Sequence, residues 1–210
     1  MATGAHKKPI YGVHPGVSIM QNWIATLKEK SGRALEEWIA LIRTEGPTDN
    51  KSRRAWLKSK HKLGTNSASW LADRAEGRAL EFENPSIYLE AAGRYVEEMF
   101  SGGKAGLQPV YDKLLELGLK TGHEAKACPG RTMVPLYRRH VFANLKPATR
   151  TRVDLGLALK GCKTEIPRRL IDTGGLKKND RITHRIPVSA LSEIDGEVKR
   201  WLKIAYDLDA

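Results

Sequence analysis

Apolar residues in the first third of the chain repeat with helical spacing, and glycines interrupt the repeat. The clearest stripe recurs at i, i+3, i+4 and i+7 and consists of Leu35, Trp38, Ile39 and Ile42. A capping box from Ser18 to Gln21 predicts that a first helix begins at Ser18 and runs to Gly32. Gly64 and Gly77 are predicted to end the third and fourth helices. We therefore predict a four-helix module over residues 10–80.

Residues 78–86 have no clear period, and Asn84-Pro85 favours a turn. We interpret this segment as a linker between two modules. Two further helices follow, with apolar faces around Tyr95 and Leu114, and Gly102-Gly103 separates them.

The period then changes to two, which is typical of strands with one buried face. Val153, Leu155 and Leu157 alternate with small or polar residues, and similar short segments occur on both sides of them. An amphipathic helix around Trp201 closes the chain and should cover the apolar face of the sheet. The predicted fold class is α+β: the helical module at 10–80 precedes a small antiparallel sheet packed with helices at 86–210.

The net charge of the chain is +12, and its distribution matters more than its total. Residues 131–190 carry 14 basic and 4 acidic side chains, whereas residues 81–130 have an acidic excess. Such a basic block favours a polyanionic partner, above all nucleic acid. Lysines and arginines dispersed over a solvated surface are the alternative interpretation of the same charge.

The candidate anion-binding residues lie in both modules. Those predicted in the second module are Arg138, Arg139, Arg150, Arg152 and Arg185. In the first module, the two helices that meet near Gly64 resemble a helix-turn-helix, with Lys58 and Arg74 as candidate contacts. A plain helical hairpin with a solvated basic face is the alternative interpretation of that pattern, because short helix turns that contain glycine are common. A small-anion pocket in the second module, with Arg152 or Arg185 holding the anion, is an alternative to nucleic-acid binding.

No stretch of the sequence carries a complete catalytic motif. Ser101-Gly-Gly-Lys104 lacks the flanking residues of a phosphate loop. His140 and His184 lie on predicted strands, so an enzyme that uses either histidine is a further alternative. Arg152 and Asp154 are expected to form an ion-pair network on the polar side of the sheet. We expect a non-enzymatic protein without a metal or another cofactor.

Location and oligomeric state are constrained only weakly by the sequence. Cys128 and Cys162 are far apart and form no metal-binding motif, and no apolar run is long enough to cross a membrane. The first residues also lack the apolar core of a secretory signal. These features predict a cytoplasmic protein that does not enter a membrane, and they do not predict its oligomeric state.

Two parts of the chain resemble known bacterial families. The segments that resemble domain of unknown function 4287 are Tyr11-Gly-Val-His-Pro-Gly16, Trp23, Leu35-Glu-Glu-Trp-Ile39 and His61-Lys-Leu-Gly-Thr-Asn66. Those that resemble domain of unknown function 5655 are Tyr137-Arg-Arg-His-Val-Phe142, Arg152-Val-Asp-Leu-Gly-Leu157, Thr183-His-Arg185 and Glu197-Val-Lys-Arg-Trp-Leu202. The resemblance implies a two-module bacterial protein whose second module is a sheet capped by helices. It implies no reaction and no catalytic residues.

Overall fold

A computed structural model describes residues 10–210 of the chain. These residues divide into two compact units, Val13–Glu90 and Ala91–Ala210, and residues 10–12 belong to the second. The predicted boundaries at 10–80 and 86–210 stay a prediction. None of the helices within residues 10–210 is long and apolar enough to span a bilayer.

The first unit is helical. Its helices are α1 (Pro15–Ala25), α2 (Leu27–Ser31), α3 (Leu35–Glu45), α4 (Asn50–His61) and α5 (Thr65–Ala75), followed by a 3₁₀ turn at Leu80–Phe82. The predicted start at Ser18 is wrong, because α1 already begins at Pro15. The backbone N–H of Gly16 donates to Nδ1 of His14 at 2.9 Å, and proline at the first helical position suits the helix start.

Two further predictions about this unit are corrected. The first predicted helix is interrupted at Thr26, whose hydroxyl donates to the carbonyl oxygens of Asn22 and Trp23. Such local bonds compete with the regular helical pattern. Helix α4 ends at Lys62 in the left-handed conformation, and Gly64 instead precedes α5 as its N-cap.

The predicted apolar stripe of α3 forms the core of the first unit. Leu35, Trp38 and Ile42 are buried, and Ile39 is half-buried. They pack in one cluster with apolar side chains of α4 and α5, including Leu71. This packing explains why helices of low intrinsic stability form here.

The second unit combines helices with a sheet. Its helices are α6 (Pro85–Met99, which begins in the first unit), α7 (Gln108–Lys120), α8 (Gly175–Lys178) and α9 (Gly196–Asp207). Short 3₁₀ segments lie at Gly102–Leu107 and Leu191–Glu193. Its strands are β1 (Lys126–Ala127), β2 (Val134–Tyr137), β3 (Val141–Pro147), β4 (Val153–Leu157), β5 (Ile171–Asp172) and β6 (His184–Val188).

All strand pairs in this six-stranded sheet are antiparallel, in the order β1-β2-β3-β4-β6-β5. Helices α7 and α9 pack on β3 and β4, and one core joins them to the apolar side of the sheet. Trp201 on α9 is buried in that core, as predicted. The predicted α+β fold class is confirmed.

Some predicted element boundaries in the second unit are wrong. The alternating pattern also suggests a strand over Arg168–Asp172 and a hairpin-like loop over 173–180, but β5 begins only at Ile171 and the loop contains α8. The helical spacing of the apolar residues around Trp201 places Leu191 on the buried face of the last helix, but Leu191 is 53% exposed and precedes α9. The side chain of Asp195 caps α9 by accepting the backbone N–H groups of Glu197 and Val198.

Candidate anion-binding cleft

The face of the sheet that does not carry the helix-packed core is polar. Asn144 and Lys146 on β3 and Asp154 on β4 are exposed or half-exposed, and Arg185 on β6 follows them across the sheet. Asn144 pairs with Gly156, Lys146 pairs with Asp154, and Gly156 pairs with Arg185. Opposite residues in antiparallel strands lie on the same side, so these groups form one surface, here called the polar face.

The predicted ion-pair network on this face is confirmed. Nη1 of Arg185 lies 3.0 Å from Oδ2 of Asp154, and Nε of Arg152 lies 2.8 Å from Oδ1. The Arg152 Nε–H does not point at that oxygen, so the contact is an ion pair without an aligned hydrogen bond. Two guanidinium groups share one carboxylate, which leaves the network with a net positive charge.

A larger group of cations meets at one end of the sheet. A cleft of about 660 Å³ lies between the 3₁₀ segment Gly102–Leu107, the residues before β2, and the turn from β3 to β4. It is lined by four cationic side chains and one carboxylate: Lys104, Arg131, Lys146, Arg150 and Glu98. We call this site the basic cleft.

Packing positions three of these cations. Nζ of Lys104 donates to the carbonyl oxygen of Pro147 at 3.0 Å, and the guanidinium of Arg131 lies 5.4 Å from the ring centre of Tyr95. The stem of Arg150 runs beside Gly103, where an added Cβ would lie only 3.3 Å from Arg150 Cδ. Glycine therefore allows the arginine to approach this segment closely.

The basic cleft continues onto the polar face through Lys146. This lysine lines the cleft, and it is also the cross-strand neighbour of Asp154. Arg152 and Arg185 therefore extend the positive surface beyond the cleft itself. Clefts lined by charges of one sign concentrate counter-ions and speed the association of oppositely charged ligands.

The structure separates the arginines predicted for the second module into two groups. Arg150, Arg152 and Arg185 belong to the cleft and the polar face. Arg138 and Arg139 lie at the turn between β2 and β3, at the other end of β3. Strand β3 has seven residues, so roughly 20 Å separate the two ends.

Arg138 is also engaged within the protein. Its Nε donates to Oε2 of Glu124 at 2.9 Å, and its guanidinium lies 4.6 Å from the ring centre of Tyr206. This hydrogen bond lowers the pKa of Glu124 from its ordinary value. The predicted cations of the second module therefore do not form a single group.

The two cations predicted in the first module have different surroundings. Nη2 of Arg74 lies 3.0 Å from Oε1 of Glu83, in a contact whose side chains are both largely buried. The same guanidinium stacks 6.0 Å from the ring centre of Trp70. Lys58 is exposed on α4. Arg74 thus contributes to packing, and the helix-turn-helix interpretation of α4 and α5 stays a prediction.

The two histidines lie near the end of the sheet that is opposite the basic cleft. The backbone N–H of His140 donates to Oδ2 of Asp209 at 2.7 Å, and its Nδ1 lies 3.0 Å from Oδ1. Arg181 binds the same carboxylate. Nδ1 of His184 lies 2.9 Å from Oγ1 of Thr183, a hydroxyl that also accepts the backbone N–H of Leu159.

Neither cysteine forms a disulfide, and burial raises the pKa of the Cys128 thiol to about 11. In the part of the chain that the structure describes, no three His, Cys, Asp or Glu side chains form a group suited to a metal ion.

Three of the four cleft cations were missed from the sequence: Lys104, Arg131 and Lys146. Lys146 had a usable signal, because it continues the alternation of β3 on the side opposite Leu145. Lys104 belongs to the segment that fails as a phosphate loop, and Arg131 precedes β2. Only the folded chain brings these two next to Arg150.

The second unit is thus an antiparallel α+β domain with a helix-packed face, a polar face and a basic cleft at one end. The chain belongs to the family described as Domain of unknown function (DUF5655), whose family model matches residues 96–209, more than half of the chain. A second family model, Domain of unknown function (DUF4287), matches residues 19–77. Comparison with curated proteins and with solved structures found no match.

Proposed function

We propose that the second module binds a phosphate-rich polyanion, and specifically nucleic acid, through the basic cleft. The observation that carries the proposal is the convergence of four cationic side chains in one cleft, where Lys146 and Arg150 take part in none of the ion pairs found within residues 10–210. Cations that contact phosphates release condensed counter-ions, which favours binding without reading sequence.

The positive surface beyond the cleft supports an extended ligand. Arg152 and Arg185 adjoin the cleft through Lys146, and Asp154 offsets only one of their charges. A chain of phosphates that enters the cleft therefore meets further cations along the polar face. The function is binding, and the proposal assigns no catalytic residue.

A small anionic ligand is the second candidate. The volume of the cleft favours a small ligand, because about 660 Å³ lies within the usual range of small-molecule sites. One or two phosphates or carboxylates would then occupy the cleft alone. The two candidates differ in salt dependence, since a polyanion contacts more cations than a small ligand does.

A cytoplasmic location and a bacterial origin belong to the same proposal. They rest on the sequence features and on the resemblance described above. Fractionation of cells that express the full chain tests the location.

Salt-dependent binding tests the polyanion proposal. If all four cleft cations contact phosphates, the log–log slope of affinity against salt concentration should be about −3 to −4. The double variant Lys146→Glu/Arg150→Glu should reduce that slope to about −1 to −2, because two contacts are lost. Fluorescence anisotropy with a labelled oligonucleotide at several salt concentrations measures both slopes.

A charge-matched control separates the cleft from a general effect of net charge. Lys199 and Arg200 are exposed on α9, which packs on the other face of the sheet. The variant Lys199→Glu/Arg200→Glu changes the net charge equally and should keep the slope of the unmodified protein. No binding at low salt would refute the proposal, whereas saturable binding of inorganic phosphate or a dicarboxylate that is insensitive to salt would support the second candidate.

A further inference from the structure

A second depression lies on the polar face, beside the basic cleft. It has a volume of about 400 Å³ and lies between strands β2 and β3 and the segment that connects β5 to β6. Its wall includes four mainly apolar side chains and one amide, from Met133, Pro135, Val141, Ile182 and Asn144. We call it the amide groove.

The floor of the amide groove depends on Gly156. An added Cβ at this position would lie 2.3 Å from Oδ1 of Asn144 and 2.8 Å from Cγ2 of Ile182. Both distances are shorter than real Cβ contacts, so only glycine lets the two side chains meet above β4. The sequence thus places the Asn144 amide across the middle of the sheet.

The Asn144 amide makes only a weak hydrogen bond in the part of the chain that the structure describes. Its one hydrogen bond to another residue within 10–210 runs from Nδ2 to Sδ of Met133 at 3.5 Å, and sulfur is a weak acceptor. A primary amide offers two donors and an acceptor side by side. A ligand that presents a complementary donor and acceptor on one edge can therefore bind both atoms.

Charges in the amide groove oppose a phosphate. Asp180 and Arg181 both line the groove, and Arg181 is already bound to Asp209 and to the carbonyl oxygen of Val141. The Asp180 carboxylate repels anions. The groove therefore suits a neutral planar group better than a phosphate.

The amide groove and the basic cleft lie side by side. Asn144 and Lys146 project from the same face of β3, two residues apart, which corresponds to roughly 7 Å along the strand. A ligand with a phosphate in the cleft can thus place an attached ring in the groove. A nucleotide within a nucleic-acid strand has this form.

We propose that the amide groove binds an unpaired base of a single-stranded nucleic acid whose phosphates lie in the basic cleft. This inference rests on the proposed function and narrows it from nucleic acid to single strands. Every base carries a donor and an acceptor on its Watson–Crick edge, and a duplex occupies that edge. Single strands leave it free for hydrogen bonds with protein side chains.

Two oligonucleotides with equal numbers of phosphates test the inference: a mixed-sequence single strand and a hairpin duplex. We expect the full chain to bind the single strand at least about fivefold more tightly at the same salt concentration. Asn144→Leu keeps the size of the side chain and removes the amide. Gly156→Ala displaces the amide from the floor. Each variant should lower single-strand affinity to the duplex level and leave duplex affinity unchanged.

Lys146→Glu is the matched control, because it removes a phosphate contact. It should lower the affinities for the single strand and for the duplex to the same degree. Equal affinity of the unmodified protein for the two ligands, or an unchanged preference in Asn144→Leu, would show that the amide groove does not bind a base. The proposal of polyanion binding would still stand. Absence of salt-dependent binding to either ligand would instead overturn the proposed function, and the inference with it. Thermal unfolding of each variant shows whether the fold is kept.

Discussion

The two ends of strand β3 differ in how their positive charges are held. Near the turn from β2 to β3, Arg138 pairs with Glu124, and Arg181 pairs with the buried carboxylate of Asp209. At the basic cleft, Lys146 and Arg150 take part in none of the ion pairs found within residues 10–210. Both ends are basic in sequence, but two cations near the turn have carboxylate partners, whereas Lys146 and Arg150 at the cleft have none among these ion pairs.

The same distinction applies in the first unit. Arg53 pairs with Glu76, Arg54 pairs with Asp73, and Arg74 pairs with Glu83. Part of the positive charge of that unit is therefore also neutralised by carboxylates of the same unit. A count of basic residues overestimates the binding surface wherever each cation has a carboxylate partner, and the pairing pattern is the more useful guide.

The largest effect on stability should come from Asp209. This residue stabilises the end of the sheet at the turn from β2 to β3, here called the turn end. Its side chain is 3% exposed, and it accepts hydrogen bonds from the backbone N–H of His140 and from Arg181. Asp209→Ala leaves these donors without their charged acceptor, so the free energy of unfolding should fall by about 2–3 kcal/mol. Urea denaturation, monitored by tryptophan fluorescence, measures this decrease in the free energy of unfolding.

Asp207→Ala is the control for this variant, because Asp207 is exposed and pairs only with Lys203 among the ion pairs found. It should change the free energy of unfolding by less than about 0.5 kcal/mol. Nucleic-acid affinity should be unchanged in Asp207→Ala. If Asp209→Ala lowers the free energy of unfolding by less than about 1 kcal/mol, Asp209 does not stabilise the turn end as proposed.

An intermediate effect is expected from matched charge reversals at the two ends. Arg150 and Arg139 are both exposed arginines in turns next to β3. Arg150→Glu should weaken nucleic-acid binding about tenfold, or about 1.4 kcal/mol, and Arg139→Glu less than twofold. Anisotropy titrations at one salt concentration make the comparison. Equal losses would show that net charge acts and that the cleft has no special role.

Sequence patterns predicted the architecture better than they predicted the site. Alternation around Leu155 and the stripe around Trp38 depend on nearest neighbours in one element, so strand and helix were recognised correctly. The start of α1 was missed because a histidine side chain, His14, replaces the usual capping residues.

The basic cleft depends on contacts between distant parts of the chain. Lys104 follows α6, whereas Arg150 follows β3, and 46 positions separate them in the sequence. Their meeting depends on how the 3₁₀ segment packs against the turn after β3. The sequence showed the charge of residues 131–190, but it did not show which cations are paired. The pairing of Arg138 with Glu124 is likewise a tertiary contact.

The smallest effect should come from the exposed pair of Arg138 and Glu124. The hydrogen bond from Arg138 lowers the pKa of Glu124 in the folded protein, whereas the unfolded chain should keep an ordinary value of about 4.3. The folded state therefore binds fewer protons, and the pair stabilises it above that pH. This contribution is lost as the pH falls through the folded pKa.

Glu124→Gln should accordingly lower the urea midpoint slightly at pH 7, and the difference from the unmodified protein should disappear at acid pH. High salt should also reduce it, because the pair is exposed and screened. Nucleic-acid affinity should not change, since the pair lies at the end of β3 away from the cleft. A stability difference that persists below the folded pKa of Glu124 would show that this residue acts through packing. Weaker nucleic-acid binding in Glu124→Gln would move part of the site to the turn end.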